Sequence, residues 1–168
     1  MKNVILTGFM ASGKTTIGAE LAKMLGFSFV DTDSMIEKQE NRTINEIFAE
    51  DGEEYFRDVE TKTAMKVAEM ANCVVSTGGG MVIRSENIEH MRKNGIVFYL
   101  DTDFDVIIER LKNADATRPL ARGVDADALK NRFDSRQTAY SNCDYRIHIT
   151  QNDTPLTVAK KIIEIYRR

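Results

Sequence analysis

The chain has 168 residues, 42% of them hydrophobic and 29% charged, which fits one compact domain with its own core and excludes a largely disordered protein. Its net charge of −3 gives no overall basic field for nucleic acid or an anionic membrane, so bound anions must be held by locally placed basic groups. The apolar runs are too short to cross a bilayer. We therefore expect a single cytoplasmic domain over residues 1–168, a monomer with small-molecule ligands and with neither nucleic acid nor membrane as partner.

Short apolar runs alternate along the chain with longer stretches of helical periodicity. This alternation predicts an α/β protein, a three-layer α/β/α sandwich around a largely parallel sheet. Several helices have recognisable starts, namely Thr43 with Glu46, Thr102 with Asp105, and Thr154 followed by Pro155. The five predicted strands are Val4–Thr7, Ser28–Asp31, Cys73–Ser76, Ile96–Leu100 and Tyr145–Thr150.

The first predicted strand leads into the sequence GFMASGKT at residues 8–15, which has the spacing of a phosphate-binding P-loop and opens a helical pattern. Glycine lets backbone N–H groups approach phosphate, Lys14 reaches the β- and γ-phosphates, and the Thr15 hydroxyl coordinates Mg²⁺. The motif therefore predicts a nucleoside triphosphate and Mg²⁺ as ligands. The predicted nucleotide-binding residues of the loop are Ala11, Ser12, Gly13, Lys14, Thr15 and Thr16.

Two carboxylates follow the second predicted strand, in the sequence DTD. Because ligands of parallel sheets bind outside the carboxyl ends of the strands, we expect Asp31 and Asp33 to face the same crevice as the P-loop. One carboxylate can assist Mg²⁺ through water while the other accepts a proton from a hydroxyl acceptor. A calcium-binding loop is excluded, since Ile36 stands where that loop requires glycine.

Three consecutive glycines, Gly78, Gly79 and Gly80, follow the third predicted strand. Glycine weakens regular structure, so the triplet indicates that the backbone closely approaches a ligand. Arg57 and Arg136 are harder to interpret alone, because a single arginine is usually a solvated surface group.

The polar stretch 113–127 interrupts the alternation of strands and helices and contains Arg118. Loops of this length without regular structure are uncommon in compact domains unless they are functional. We interpret this stretch as a mobile lid, with an ordinary surface connection as the alternative.

In their order and separations, these residues resemble the shikimate kinase family over nearly the whole chain. The resemblance implies a P-loop fold like that of nucleoside monophosphate kinases, with five parallel strands, a substrate-binding region at about 32–60 and a lid at about 112–127. It also implies transfer of the γ-phosphate of ATP to the 3-hydroxyl of shikimate, which gives shikimate 3-phosphate on the pathway to chorismate and aromatic amino acids. The matching motifs are GFMASGKT at 8–15, DTD at 31–33, FR at 56–57, GGG at 78–80, RPL at 118–120 and an arginine and a tyrosine at 136 and 140.

The resemblance assigns roles at the acceptor site. Asp33 matches the aspartate that holds shikimate hydroxyls and is the candidate catalytic base. Arg57 and Arg136 match the arginines that bind the shikimate carboxylate, which suits the fork-shaped guanidinium group. Gly79 matches the glycine whose backbone meets shikimate, and we extend this substrate-binding assignment to Gly78 and Gly80.

The resemblance also assigns roles around ATP. Arg118 matches the lid arginine that neutralises charge developing on the transferred phosphate, beside Lys14. Thr15 and Asp31 match the magnesium site, and Arg110 is a candidate for packing on adenine. Two departures concern the same site: Ala11 replaces a common glycine at a position that we interpret as unconstrained, and residues 150–153 lack a basic residue often found near adenine.

Two other functions remain to be compared with this one. A related small-molecule kinase, for gluconate or a nucleotide, is disfavoured because those acceptors give no reason for the carboxylate-binding arginines together with the glycine triplet. An inactive relative that binds ATP or shikimate as a regulatory module is disfavoured because it would be free to lose Lys14, Asp33, Arg57, Arg118 and Arg136.

Overall fold

Five strands form one parallel sheet in the spatial order β2-β3-β1-β4-β5, in a computed structural model that describes residues 1–114 and 125–168. This confirms the predicted α/β class and the five-stranded parallel sheet. The elements are β1 (Asn3–Thr7), α1 (Lys14–Leu25), β2 (Ser28–Asp31), α2 (Thr32–Glu40), α3 (Ile44–Glu69), β3 (Cys73–Ser76), a 3₁₀ turn (Met81–Ile83), α4 (Ser85–Arg92), β4 (Gly95–Thr102), α5 (Phe104–Asn113), α6 (Ala126–Tyr140), β5 (Tyr145–Ile149) and α7 (Pro155–Tyr166).

The register of the sheet brings the predicted motifs to one edge. Leu6 of β1 pairs with Ser76 of β3, and Ser76 pairs in turn with Asp31 of β2. The three strands therefore end at the same level. The P-loop, the DTD sequence and the glycine triplet consequently leave the sheet side by side at its carboxyl edge, where ligands of parallel sheets bind.

Helices cover both faces of the sheet, as predicted for three layers. Alternate residues of the fully buried central strand β1 point to opposite faces. Ile5 belongs to a buried cluster that includes Val67 of α3 and Met91 of α4. Leu6 belongs to the cluster on the other face, which includes Ile162 of α7. Among the helices of residues 1–114 and 125–168, none combines the length and apolar character that a bilayer crossing needs.

Two predicted helix starts are confirmed by reciprocal capping hydrogen bonds. At α3 the Glu46 N–H donates to the Thr43 hydroxyl oxygen (3.2 Å) and the Thr43 N–H donates to the Glu46 carboxylate (2.6 Å). At α7 Thr154 caps the helix through the N–H of Thr157, and Pro155 occupies the first turn. Both caps satisfy N–H groups that a helix leaves without intrahelical partners.

The third predicted cap, Thr102 with Asp105, is wrong. Thr102 is the buried last residue of β4, and its hydroxyl donates to the Ser12 carbonyl of the P-loop (3.1 Å). Asp103 is the residue that precedes α5, and its side chain makes no capping hydrogen bond. A tertiary contact with the P-loop therefore takes the hydroxyl that the local pattern assigns to a cap.

The predicted lid coincides with the connection between α5 and α6. Helix α5 ends at Asn113, and α6 begins at Ala126 after the capping residue Asp125. Residues 115–124, which include Arg118, lie outside the described residues. The lid assignment and the role of Arg118 therefore stay predictions from the sequence.

Candidate active site

The P-loop wraps around the ammonium group of Lys14 at the start of α1. Gly13 precedes the helix with φ 98°, a left-handed conformation that suits glycine. The Lys14 ammonium donates to the carbonyl oxygens of Gly8 (2.7 Å) and Phe9 (2.9 Å). Burial lowers the pKa of Lys14 to about 8, although nearby Asp33 acts in the opposite direction. The positive group is thus held at the mouth of an anion-binding helix terminus.

Position 11 is not unconstrained, so that part of the sequence interpretation is wrong. Ala11 has φ 57°, in the left-handed region that residues with a β-carbon rarely adopt. Its carbonyl oxygen accepts a hydrogen bond from the Arg110 guanidinium (2.9 Å). The left-handed backbone at this residue explains why glycine would be favoured here.

A cavity of about 420 Å³ lies beside the P-loop, between α1, α5 and the start of α7. The predicted nucleotide-binding residues Ala11, Gly13, Lys14, Thr15, Thr16 and Arg110 line it, whereas Ser12 is buried beneath the loop. Its apolar wall consists of Leu111, Ile149, Pro155 and Val158. One polar and one apolar wall suit the phosphates and the base of a nucleotide.

The segment 150–153 lacks a basic residue of its own, and its Asp153 is paired with a lysine of α7. The Lys161 ammonium donates to the Asp153 carboxylate (2.6 Å), and the Thr150 N–H donates to the same carboxylate (3.0 Å). Lys161 and Thr150 lower the pKa of Asp153 to about 2. The cavity wall at Asp153 is therefore anchored to the rest of the fold.

A second cavity, of about 250 Å³, lies on the α3 and α6 side of the P-loop. It brings together all the predicted acceptor-site residues, namely Asp33, Arg57, Gly78, Gly79, Gly80 and Arg136. It also has lining residues to which the sequence interpretation gave no role of their own: Met10, Ile44, Phe48, Phe56, Glu60 and Arg132. Charged groups thus face an apolar wall across a small space, which suits a small anionic polyol.

The two aspartates of the DTD sequence lie on different elements. Asp31 ends β2, and its carboxylate accepts a hydrogen bond from the Ser34 N–H at the start of α2 (3.0 Å). Asp33 lies in the first turn of that helix. Burial and the neighbouring Asp31 raise the pKa of Asp33 to about 6, while Lys14 acts in the opposite direction. Asp33 is therefore more basic than an ordinary aspartate, as a general base requires.

Charged groups closely approach two glycines of the triplet, Gly78 and Gly80. A β-carbon on Gly78 would collide with the Asp33 carboxylate, and one on Gly80 would collide with the Arg57 guanidinium. The Gly78 N–H also donates to the hydroxyl of Thr32 (2.9 Å). Any larger residue would therefore displace the predicted catalytic base or a predicted substrate-binding arginine.

Arg57 is held by a buried ion pair with Glu60, one helical turn later on α3. The two groups lie 2.7 Å apart, and the Glu60 side chain is 1% exposed. Burial raises the pKa of Glu60, and Arg57 acts in the opposite direction. Arg57 Nε has no hydrogen-bond partner among the described residues. The ion pair thus orients the guanidinium at the wall of the cavity that Arg57 lines.

Helix α6 supplies the other two arginines of this cavity. The Arg136 guanidinium lies 5.9 Å from the centre of the Phe9 ring, an arrangement that orients the group without neutralising its charge. Arg132 precedes it by one helical turn and is exposed at the cavity. Three arginines therefore lie at this site in a chain whose net charge is −3.

Comparisons with known proteins agree with this arrangement. The family model described as "Shikimate kinase" matches residues 10–167. The shikimate kinase of Caldicellulosiruptor bescii is 44% identical over 99% of this chain and 96% of its own length, and that of Persephonella marina is 43% identical over 97% and 98%. Two solved structures are also similar. Shikimate kinase from Acinetobacter baumannii in complex with shikimate has a TM-score of 0.87, with 32% identity over 99% of this chain and 93% of that one. Shikimate kinase from Bacteroides thetaiotaomicron has a TM-score of 0.91, with 31% identity over 99% of both chains.

Proposed function

This chain belongs to the shikimate kinase family and is an ATP-dependent kinase of shikimate. We propose here which residues bind the two substrates and which carry out the transfer. The observation that supports the assignment most directly is the acceptor cavity, which groups Asp33, Arg57 and Arg136 around the glycine triplet. These groups match the chemistry of a hydroxylated carboxylic acid. The reaction takes place at the 3-hydroxyl of shikimate and gives shikimate 3-phosphate and ADP.

Arg57 and Arg136 bind the shikimate carboxylate. They come from different helices and line the same cavity, so their guanidinium forks can hold one anion from two directions. The glycine triplet lets the substrate approach the backbone, and Phe48 and Phe56 pack against the ring of the acid. This arrangement fixes the hydroxyl groups relative to Asp33 and so lowers the entropic barrier to transfer.

ATP occupies the cavity of about 420 Å³. The N–H groups at the start of α1 and the Lys14 ammonium bind its phosphates, with Lys14 exchanging carbonyl partners for phosphate oxygens. Phosphate charge then raises the pKa of Lys14 and keeps the ammonium protonated. Arg110 supports the loop through the Ala11 carbonyl, and the apolar wall packs on adenine.

Mg²⁺ fits the residues present at this site. Among residues 1–114 and 125–168, no cluster of three acidic, histidine or cysteine side chains could enclose a metal. Mg²⁺ commonly takes few protein ligands and completes its shell with phosphate oxygens and water. We propose that Thr15, which lines the nucleotide cavity, and Asp31 hold the ion. When bound, Mg²⁺ neutralises phosphate charge.

Asp33 accepts the proton of the 3-hydroxyl while the oxygen of that hydroxyl bonds to the γ-phosphorus atom. The bond between that phosphorus and the bridging oxygen of ADP breaks in the same transfer, and Lys14 remains beside the departing phosphates. A carboxylate with a pKa of about 6 is deprotonated at neutral pH and basic enough to take up the proton. From the sequence resemblance, we propose that Arg118 adds positive charge from the lid.

An ADP-release assay with shikimate, quinate, gluconate and nucleoside monophosphates offered in turn tests this function. We expect turnover with shikimate alone. Comparable turnover with gluconate or a nucleotide would favour the related-kinase alternative, and ATP binding without turnover would favour the regulatory one. We also propose that the protein is a monomer, as the sequence analysis expects. A dimer in sedimentation at assay concentrations would contradict this.

A further inference from the structure

We propose that Tyr140 is a positioning residue of the acceptor site. Its hydroxyl fixes the peptide between Gly79 and Gly80, which holds the Gly80 N–H in the orientation that binds the acceptor. This inference rests on the proposed function, because it concerns how the same cavity holds shikimate.

The hydroxyl of Tyr140 reaches from the end of α6 to the turn after β3. It donates to the Gly79 carbonyl oxygen at 2.7 Å, and Tyr140 is 1% exposed. A buried phenol hydroxyl needs a hydrogen-bond partner, and the carbonyl of the half-buried Gly79 supplies it. The bond therefore restrains a turn that has no side chains of its own to hold it.

The restraint acts on the neighbouring N–H through peptide geometry. The described backbone contains no cis peptide, so the Gly79 carbonyl and the Gly80 N–H point in opposite directions from one plane. The N–H groups of Gly79 and Gly80 donate to no acceptor among the described residues, although both residues line the cavity. Glycine peptides rotate readily, so fixing the carbonyl on one side selects the direction of the N–H on the other.

The tyrosine ring is itself held in place. It stacks on the buried ring of Tyr99, with 5.0 Å between the centres and 5° between the planes. The Tyr99 hydroxyl lies 3.1 Å from the Gln137 side-chain oxygen. Arg136 lies one turn before Tyr140 on α6. The Arg136 guanidinium is close to Gly79, since a β-carbon placed on Gly79 would be 3.6 Å from it. One helix therefore brings both the substrate-binding arginine and the positioning hydroxyl to the same peptide.

Tyr140→Phe tests the proposal, because it removes the hydroxyl and keeps the stacked ring. We expect the KM and the calorimetric Kd for shikimate to rise about three- to tenfold, the effect of losing one hydrogen bond. The KM for ATP should not change. Gly79 would then sample other peptide orientations, which affects the acceptor and leaves the P-loop intact.

Tyr166→Phe is the matched control. The Tyr166 hydroxyl also donates to a backbone carbonyl, that of Lys2 (2.6 Å), at the amino edge of the sheet away from both cavities. Tyr166→Phe should leave shikimate affinity unchanged. Wild-type shikimate affinity in Tyr140→Phe, or an equal loss of affinity for ATP and shikimate, would overturn the proposal. Failure of the wild-type protein to bind and phosphorylate shikimate would instead overturn the proposed function on which it rests.

Discussion

The Arg57 guanidinium and the Glu60 carboxylate lie 2.7 Å apart and are both buried, so a predicted substrate contact depends on an acid that does not itself need to touch substrate. Glu60→Gln keeps the shape of this acid and removes its charge. We expect the free energy of unfolding to fall by about 1–3 kcal/mol, the range for hydrogen bonds to charged groups. Urea unfolding measures the loss, and the KM for shikimate should rise in parallel because Arg57 is less firmly oriented.

Glu53→Gln is the control for that experiment. Glu53 also pairs with Arg57, at 3.1 Å, but its side chain is 67% exposed. An exposed ion pair contributes about 1 kcal/mol or less, so this variant should remain close to wild type. Equal losses in the two variants would contradict the distinction between the buried and the exposed partner.

Asp33→Asn should abolish most turnover without abolishing ATP binding. The variant keeps the shape of the side chain but cannot accept the proton of the acceptor hydroxyl. Loss of a general base costs about 10²–10⁴-fold in kcat. Steady-state kinetics and calorimetric ATP titration separate the two effects, and an equal loss in both would show that Asp33 acts on the donor side.

The raised pKa of Asp33 also predicts a pH dependence of activity. Its carboxylate is the active form, so kcat/KM for shikimate should fall as the pH drops through about 6. ATP affinity should instead fall as the pH rises through about 8, where free Lys14 loses its proton. Rates and ATP titrations from pH 5 to 9 check this, and an acid limb at the ordinary aspartate pKa near 4 would contradict it.

The protonation of Asp33 should make stability fall with rising pH, whereas it makes activity rise. Its folded-state pKa lies above the unfolded value, so the folded protein binds more protons between about pH 4 and 6 and loses stability as the pH rises through that window. Asn carries no charge and avoids the loss. Asp33→Asn should therefore have a higher Tm than wild type at pH 8, and the difference in Tm should vanish at pH 4. A lower Tm of the variant at pH 8 would argue against burial as the cause of the raised pKa of Asp33.

The sequence predicts the elements well where a pattern is local. Buried runs such as Val74 and Val75 in β3 identify the strands, and glycines mark the P-loop and the turn after β3. Tertiary choices are not visible in the same way. Glu60 stands among several acids near Arg57, and only packing selects it as the buried one. The hydroxyl of Thr102 goes to the P-loop for the same kind of reason.

Arg110→Ala should weaken ATP binding selectively. The Arg110 guanidinium supports the P-loop through the Ala11 carbonyl at 2.9 Å and lines the nucleotide cavity. Losing a charge-assisted hydrogen bond of about 1.5–3 kcal/mol predicts a rise of about ten- to a hundredfold in the KM for ATP. Lys112→Ala, an exposed change on the same helix, is the control. A comparable rise in the KM for shikimate would place Arg110 outside the donor site.

Ala11→Gly should stabilise the protein, although glycine usually destabilises. At φ 57° the alanine methyl group strains the backbone by about 1–2 kcal/mol, and the greater freedom of glycine in the unfolded chain offsets about 0.4–1 kcal/mol of that relief. The net gain is therefore up to about 1.5 kcal/mol in urea unfolding. Ala19→Gly, at an exposed position in the middle of α1, should instead lose about 1 kcal/mol. Because only the left-handed position reverses the sign, a loss in both variants would show that the loop at Ala11 is unstrained.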